Sequence, residues 1–150
     1  MKAISLWQPW ATAVSLKWKT IETRTHARFK SLQGQRIVIH AAKKVDEDVT
    51  DLFYENLPRM TALEIENQFR FVEMCRGKII CTAHVITARW APNVDFDLHE
   101  EWNRQALCEV GGKYLLFLDE IKPLKDRIPW RGRQGIFNVP DEVIDAARRG

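Results

Sequence analysis

The segment from Trp7 to Trp10 combines two indole rings with the side-chain amide of Gln8. Pro9 and the apolar spacing after it predict that a short helix begins here. Unpaired N–H groups at a helix N-terminus favour anionic ligands, Gln8 can bind the edge of a base, and Trp10 can stack on its ring. The alternative is that both tryptophans pack in the core and Gln8 caps the helix.

Lys19, Glu22 and Arg24 form a second group whose side chains could take part in binding or catalysis. On a strand, Glu22 and Arg24 point to the same side, where the guanidinium orients the carboxylate and keeps it ionised. Lys19 precedes that strand and can reach the same place. Such a cluster could bind a phosphate or a polarised carbonyl, and Lys19 with Glu22 could perform acid–base catalysis. The alternative is a surface ladder of ion pairs, which contributes little to stability.

His40 follows a short apolar run that is typical of a buried strand. A histidine at the end of such a strand either points into a cleft as a ligand-binding group or hydrogen-bonds a backbone carbonyl. The sequence leaves both roles open.

The stretch from Lys122 to Arg133 is strongly basic and contains one acidic residue, Asp126. Trp130 lies among its cations, a pattern that suits contact with a phosphate backbone together with base stacking. The alternative is a solvated loop whose charge serves solubility. The first interpretation predicts a nucleic-acid patch made of Lys43, Lys125, Arg127, Trp130, Arg131 and Arg133.

Hydrophobic patterning places these groups on an α+β scaffold. Apolar runs predict about six strands, at 3–6, 20–24, 37–39, 78–90, 114–121 and 133–139, and the length of the fourth predicts a bulge in it. Helical spacing and capping signals predict helices at 9–17, 45–53, 61–72 and 97–107, and from 140 onward. Because strands and helices do not alternate regularly, a mixed β-barrel with inserted helices and a C-terminal helix fits better than a doubly wound sheet.

Composition limits the class of protein. With 150 residues, 45% of them apolar and 29% charged, the chain can form one globular domain over 1–150. A net charge of +3 does not by itself indicate a nucleic-acid partner. The three cysteines lack a C-x-x-C spacing, the four histidines are scattered, and no phosphate-binding glycine loop occurs, so neither a metal nor a cofactor is expected.

The absence of a signal-peptide pattern and of an apolar run of about 18 residues predicts a cytoplasmic protein without a membrane partner. We also expect a monomer.

The segment ISLWQPWA at 4–11, followed by Lys19-x-x-Glu22-x-Arg24, resembles the ASCH family, whose signature is G-x-K-x-x-E-x-R. Segments 37–42, 77–80 and 129–135 are also similar to stretches of small stand-alone bacterial and phage ASCH proteins. The resemblance implies a closed β-barrel of the PUA-like class, related to an RNA-binding module. It also implies a cleft lined by the three signature residues. Trp18 stands here in place of the signature glycine.

The resemblance, with the residues above, implies that the cleft binds RNA or a modified nucleoside through Gln8, Trp10, Lys19, Glu22, Arg24 and His40. The alternative is an amidohydrolase that deacylates nucleosides of the N4-acetylcytidine type, with Lys19 and Glu22 as catalytic residues. In hydrolases of the family a threonine stands two positions before the arginine, where this chain has Glu22. A carboxylate does not replace a hydroxyl nucleophile but can activate a water. A third alternative is a metal-independent ribonuclease.

Overall fold

A six-stranded mixed sheet forms the centre of the computed structural model, which describes residues 1–149. β1 lies parallel to β3, and the other neighbouring strands are antiparallel. The order across the sheet is β2-β5-β4-β3-β1-β6. The strands are β1 (Lys2–Gln8), β2 (Ile21–Arg24), β3 (Arg36–Val45), β4 (Lys78–Trp90), β5 (Tyr114–Pro129) and β6 (Phe137–Asn138).

The predicted α+β class and the six strands are confirmed, but closure of the sheet into a barrel is not. Within residues 1–149 no ladder joins the edge strands β2 and β6, so hydrogen bonds do not close the sheet. The long strand predicted at 78–90 has those bounds, and its pairing with β5 shifts register at three places. Such irregularities bend a sheet and increase its twist.

Helices pack against several strands of the sheet. None of the helices within residues 1–149 is long and apolar enough to cross a membrane. The capping box predicted before the longest helix is present, because the Glu64 N–H donates to Thr61 Oγ1 at 3.2 Å and the Thr61 N–H donates to Glu64 Oε2 at 2.8 Å. The helices are α1 (Trp10–Ser15), a 3-10 helix (Ala27–Leu32), α2 (Asp51–Glu55), α3 (Ala62–Cys75), α4 (His99–Ala106) and α5 (Asp141–Arg149).

Alternation along β1 separates the core from the site. Ile4, Leu6 and Gln8 are buried on one face, whereas Ser5 and Trp7 lie on the other and are more exposed. The apolar face joins residues of β3 and β4 in the main core, and a second cluster packs under α5. The strand therefore anchors itself through Ile4, Leu6 and Gln8, while Ser5 and Trp7 face the opposite side.

The prediction of a helix over 45–53 is wrong for most of that segment. β3 runs on to Val45, which pairs with Gln8 of β1, and helical structure begins only with α2. The Asp46 N–H donates to Gln8 O at 2.7 Å, and Asp46 Oδ1 accepts from the Asp48 N–H at 2.9 Å. Strand pairing and a local aspartate turn thus override the helical spacing of the apolar residues.

The last two predicted strands also differ from the structure. β5 continues past Ile121 to Pro129, because its end pairs with Lys78 and Ile79 at the start of β4. The strand predicted at 133–139 is reduced to β6, which pairs only with the first two residues of β1. Residues 130–135 instead form a loop, called here the basic loop, that lies along one wall of the site.

Candidate nucleic-acid interface

Two cavities adjoin at the exposed face of β1. The smaller, of about 390 Å³, is lined by Lys19, Glu22 and Arg24 and is called here the signature pocket. The larger, of about 1300 Å³, runs along the basic loop and is called the basic groove. Ser5, Trp7 and Arg24 line both cavities, so the two lie side by side, and together they are called the cleft.

Lys19 is the buried cation of the signature pocket, with 1% of its surface exposed. The turn after α1 places it there, because the Lys19 N–H donates to Ala13 O at 3.1 Å. Its Nζ donates to the carbonyl oxygen of Ala106 and lies 4.8 Å from the centroid of the Trp10 ring. Within residues 1–149 no carboxylate pairs with it, so its other N–H donors can serve a ligand.

Glu22 and Arg24 reach the same pocket from β2, as predicted from strand geometry, but they form no ion pair with each other. Glu22 is buried, and its Oε1 accepts from the Thr23 N–H at 2.7 Å. Arg24 donates from Nη2 to Ser5 O at 3.2 Å, and its guanidinium lies 4.5 Å from the ring centroid of Phe29. Arg24 Nε has no hydrogen-bond partner. Backbone and aromatic contacts therefore hold these charges apart, leaving them available to a ligand.

Gln8 lies outside both cavities, although the sequence predicted that it binds the ligand. It is fully buried, and its Oε1 accepts from the Thr12 N–H at 3.0 Å. Its Nε2 donates to Thr12 Oγ1 at 2.8 Å and to Val72 O at 3.2 Å. Both amide hydrogens are thus engaged, and Gln8 caps α1 and ties it to α3, the role that the sequence left as the alternative.

Trp10 lines the signature pocket but is itself tightly held. Its Nε1 donates to Asp46 Oδ2 at 2.8 Å, its ring meets Phe53 edge-on at 5.3 Å, and Lys19 lies over its face. Trp7 is 46% exposed and lines both cavities, with Lys44 Nζ 3.9 Å from its ring centroid. Trp7 is therefore the more accessible stacking surface, and the sequence prediction did not include it.

His40 lines the basic groove but is buried beneath the basic loop. Its Nδ1 lies 3.0 Å from Ser5 Oγ, and its Nε2 lies 2.8 Å from Trp130 O. Because a carbonyl only accepts, Nε2 carries the proton and Ser5 donates to Nδ1. Burial lowers the pKa of His40 from its usual 6.5, against the opposing effect of hydrogen bonds with the backbone of Trp130 and Gly77. The neutral ring therefore fastens the loop to β1 and β3, and both of its nitrogens are engaged.

The basic groove contains many cations, and its described lining includes no Asp or Glu. Arg76 pairs with Glu73 at 3.0 Å, whereas Lys43, Arg131 and Arg133 form no ion pair within residues 1–149. Such a surface attracts polyanions. Its seven Arg and Lys residues are Arg24, Arg28, Lys43, Arg76, Lys78, Arg131 and Arg133.

The groove brings together only part of the nucleic-acid patch that the sequence predicted. Lys43, Trp130, Arg131 and Arg133 line it. Lys125 is exposed on β5 outside both cavities. Arg127 also lies outside them, with its guanidinium 4.5 Å from the Phe71 ring centroid and its Nη1 3.5 Å from Cys75 Sγ. Arg127 therefore packs against α3.

The described residues contain one cluster with metal-ligand chemistry, formed by His84, Asp119 and Glu120. His84 Nδ1 lies 2.7 Å from Asp119 Oδ1, and Glu120 Oε2 pairs with Arg36 at 2.9 Å. The cluster lies outside both cavities and already has these internal partners. We assign no metal to it.

The mixed sheet, its inserted helices and the cleft beside β1 define a small α+β fold with a polar, partly cationic cleft. No protein-family model and no curated protein sequence matches the chain. Crystal structures of the ASCH protein from Zymomonas mobilis are similar to it over nearly their whole length. This chain therefore has the ASCH fold, which confirms that part of the resemblance.

Three of these structures illustrate the similarity. The Zymomonas mobilis ASCH protein itself gives a TM-score of 0.55 at 16% sequence identity, covering 94% of this chain and 88% of that chain. One single-substitution mutant of it gives 0.57 at 16% identity, covering 97% and 92%. A second mutant gives 0.56 at 15% identity, covering 97% and 94%.

Proposed function

We propose that the protein binds RNA, or a nucleoside, in the cleft formed by the signature pocket and the adjoining basic groove. The observation that carries this proposal is the junction of a groove lined by seven cationic side chains with a pocket that holds Lys19 and Glu22. Cations in the groove neutralise phosphates, and the pocket offers a donor and an acceptor to a base or ribose. The ASCH resemblance, which implies a relationship to RNA-binding modules, points the same way.

The double variant Arg131→Ala/Arg133→Ala is expected to weaken binding of single-stranded RNA and to reduce its dependence on salt. Each cation that neutralises a phosphate of a single strand contributes about −0.7 to the slope of log K against log salt. Removing two such cations should therefore make the negative slope shallower by about 1.4. Fluorescence anisotropy titrations at several salt concentrations measure this slope.

Lys122→Ala/Lys125→Ala is the matched control, because it removes the same charge from exposed positions of β5 that lie outside the groove. It should leave the slope close to that of the wild type. Equal effects of the two double variants would contradict a specific role of the groove.

A second candidate function, deacylation of a nucleobase, is favoured by the burial of Lys19 and Glu22 in one pocket. Glu22 would take a proton from the attacking water, whose oxygen adds to the acyl carbonyl, and Lys19 would stabilise the negative charge that develops on the carbonyl oxygen. Glu22 then gives this proton to the leaving nitrogen as the C–N bond breaks, which releases a carboxylic acid and the free amine of the base.

If this second function is correct, Lys19→Met will lower the conversion of N4-acetylcytidine to cytidine by about 100-fold or more, as loss of an oxyanion-stabilising group does. Chromatography of the reaction measures both nucleosides. Lys17→Met is the control, since Lys17 is an exposed lysine outside both cavities. An inactive wild type, or an active Lys19→Met, would exclude this mechanism.

A further inference from the structure

We infer that the signature pocket takes one base turned out of a single strand whose phosphates remain in the basic groove. The inference rests on the proposed function and specifies its ligand, a single-stranded polynucleotide with an everted base. Three properties of the cleft carry it: the unequal distribution of charge, the position of Trp7, and the sizes of the two cavities.

Charge divides the cleft into two different environments. The lining of the signature pocket includes three cations, Lys19, Arg24 and Lys113, and four carboxylates. In a partly buried pocket these carboxylates repel phosphate, whereas the described lining of the groove carries none. The backbone of a strand is therefore held in the groove, and the pocket admits an uncharged ring. The carboxylates are Glu22, Asp46, Asp48 and Glu109.

Trp7 stands where the two environments meet. It lines both cavities together with Ser5 and Arg24, and nearly half of its surface is exposed. A base that enters the pocket leaves its neighbours in the strand without a stacking partner, and an exposed indole at this junction can replace that partner. Arg24 lies at the same junction, where a cation can hold the phosphate next to the everted base.

The cavity sizes exclude a stacked duplex from the pocket. A volume of about 390 Å³ suits a single small group and lies at the lower end of the range for ligand pockets. A base inside a duplex cannot enter such a pocket unless its pair and its stacking are broken, which has an energetic cost. Single strands are therefore the preferred ligand.

Chemical modification of Cys108 can block the signature pocket in the folded protein. It lines the signature pocket and is partly exposed, whereas Cys75 and Cys81 are fully buried and burial raises the pKa of the Cys81 thiol. A benzyl methanethiosulfonate reagent should therefore modify Cys108 selectively and fill the pocket. Cys108→Ser treated with the same reagent is the control, because it has no accessible thiol.

The experiment compares the affinity of native and blocked protein for a single-stranded RNA oligonucleotide, for the same strand with one abasic site, and for its duplex. Blocking should lower affinity on the order of 5- to 150-fold, the effect of losing one stacked base, without changing the salt slope. The abasic strand should bind the native protein more weakly than the intact strand, and the blocked protein should not distinguish the two. The duplex should bind more weakly than the single strand.

Unchanged affinity after blocking, with a steep salt slope retained, would overturn base eversion and leave RNA binding in the groove intact. A shallower salt slope after blocking would indicate that the pocket binds phosphate, and it would also overturn base eversion. Equal affinity for the duplex and the single strand would likewise overturn base eversion. If the native protein bound none of these RNAs, the proposed function itself would fail.

Discussion

The Gly132→Val variant is expected to lose most of its affinity for single-stranded RNA and to unfold at a lower urea concentration. A Cβ atom at this position would lie 2.5 Å from His40 Cε1 and 2.7 Å from Ser5 Oγ. Both side chains are fixed by their mutual hydrogen bond, so the basic loop must move instead. Overpacking of this kind costs about 1–3 kcal/mol. The displaced loop carries Arg131 and Arg133 away from the groove, so binding and stability fall together.

Asn138→Val is the control, since residue 138 is exposed on β6 and lies outside both cavities. It should keep the urea midpoint and most of the RNA affinity. A Gly132→Val protein with the midpoint and affinity of the wild type would show that close packing of the loop on His40 does not shape the groove.

The His40→Leu variant is expected to lower the free energy of unfolding by about 1–3 kcal/mol at pH 8. The substitution retains an apolar side chain in the buried site but leaves Trp130 O and Ser5 Oγ without the partner that they have in the wild type. Urea unfolding followed by circular dichroism measures the difference. His84→Leu, at a more exposed position beside Asp119, should cost less.

The same histidine predicts a pH dependence of stability. Because burial lowers the pKa of His40, the unfolded chain binds a proton near pH 6.5 while the folded chain does not. The contribution of His40 is therefore complete above pH 6.5 and is lost as the pH falls below that value. Unfolding free energies at pH 8, 6.5 and 5.5 should decrease more in the wild type than in His40→Leu. Identical decreases would assign the effect to other groups.

Local signals in the sequence predicted much of the fold. The bounds of β4 and the capping box of α3 follow from apolar patterning and from two side chains that bond within one turn. Prediction was wrong where a distant partner decides the conformation. Val45 has helical spacing, yet pairing with β1 draws it into a strand. β6 is short because only Phe137 and Asn138 pair with β1, while the residues before them form the basic loop.

The residues of the candidate site also fall into two groups, those that local sequence predicts and those that contacts between distant segments bring together. Lys19, Glu22 and Arg24 are close in sequence, and the turn after α1 together with β2 is enough to place them in one pocket. Arg28, Arg76 and Lys78 were not predicted to join Arg131, because their segments meet only in the folded chain. For Gln8 and Trp7 the sequence did contain a pattern that predicts on which face of β1 each lies. Alternation along β1 places Gln8 with Ile4 and Leu6 in the core and Trp7 with Ser5 in the cleft.

The position of β1 between β3 and β6 has a consequence for the order of folding. β1 pairs with residues about thirty-five positions later on one side, and through Lys2 with Asn138 on the other. Contacts of such long range form late, because closing large loops costs entropy before the pairing stabilises them. Ser5 and Trp7 reach their places only when β1 docks, so partly folded chains lack the wall that the two cavities share. The proposed binding of RNA therefore requires that β1 has already docked between β3 and β6.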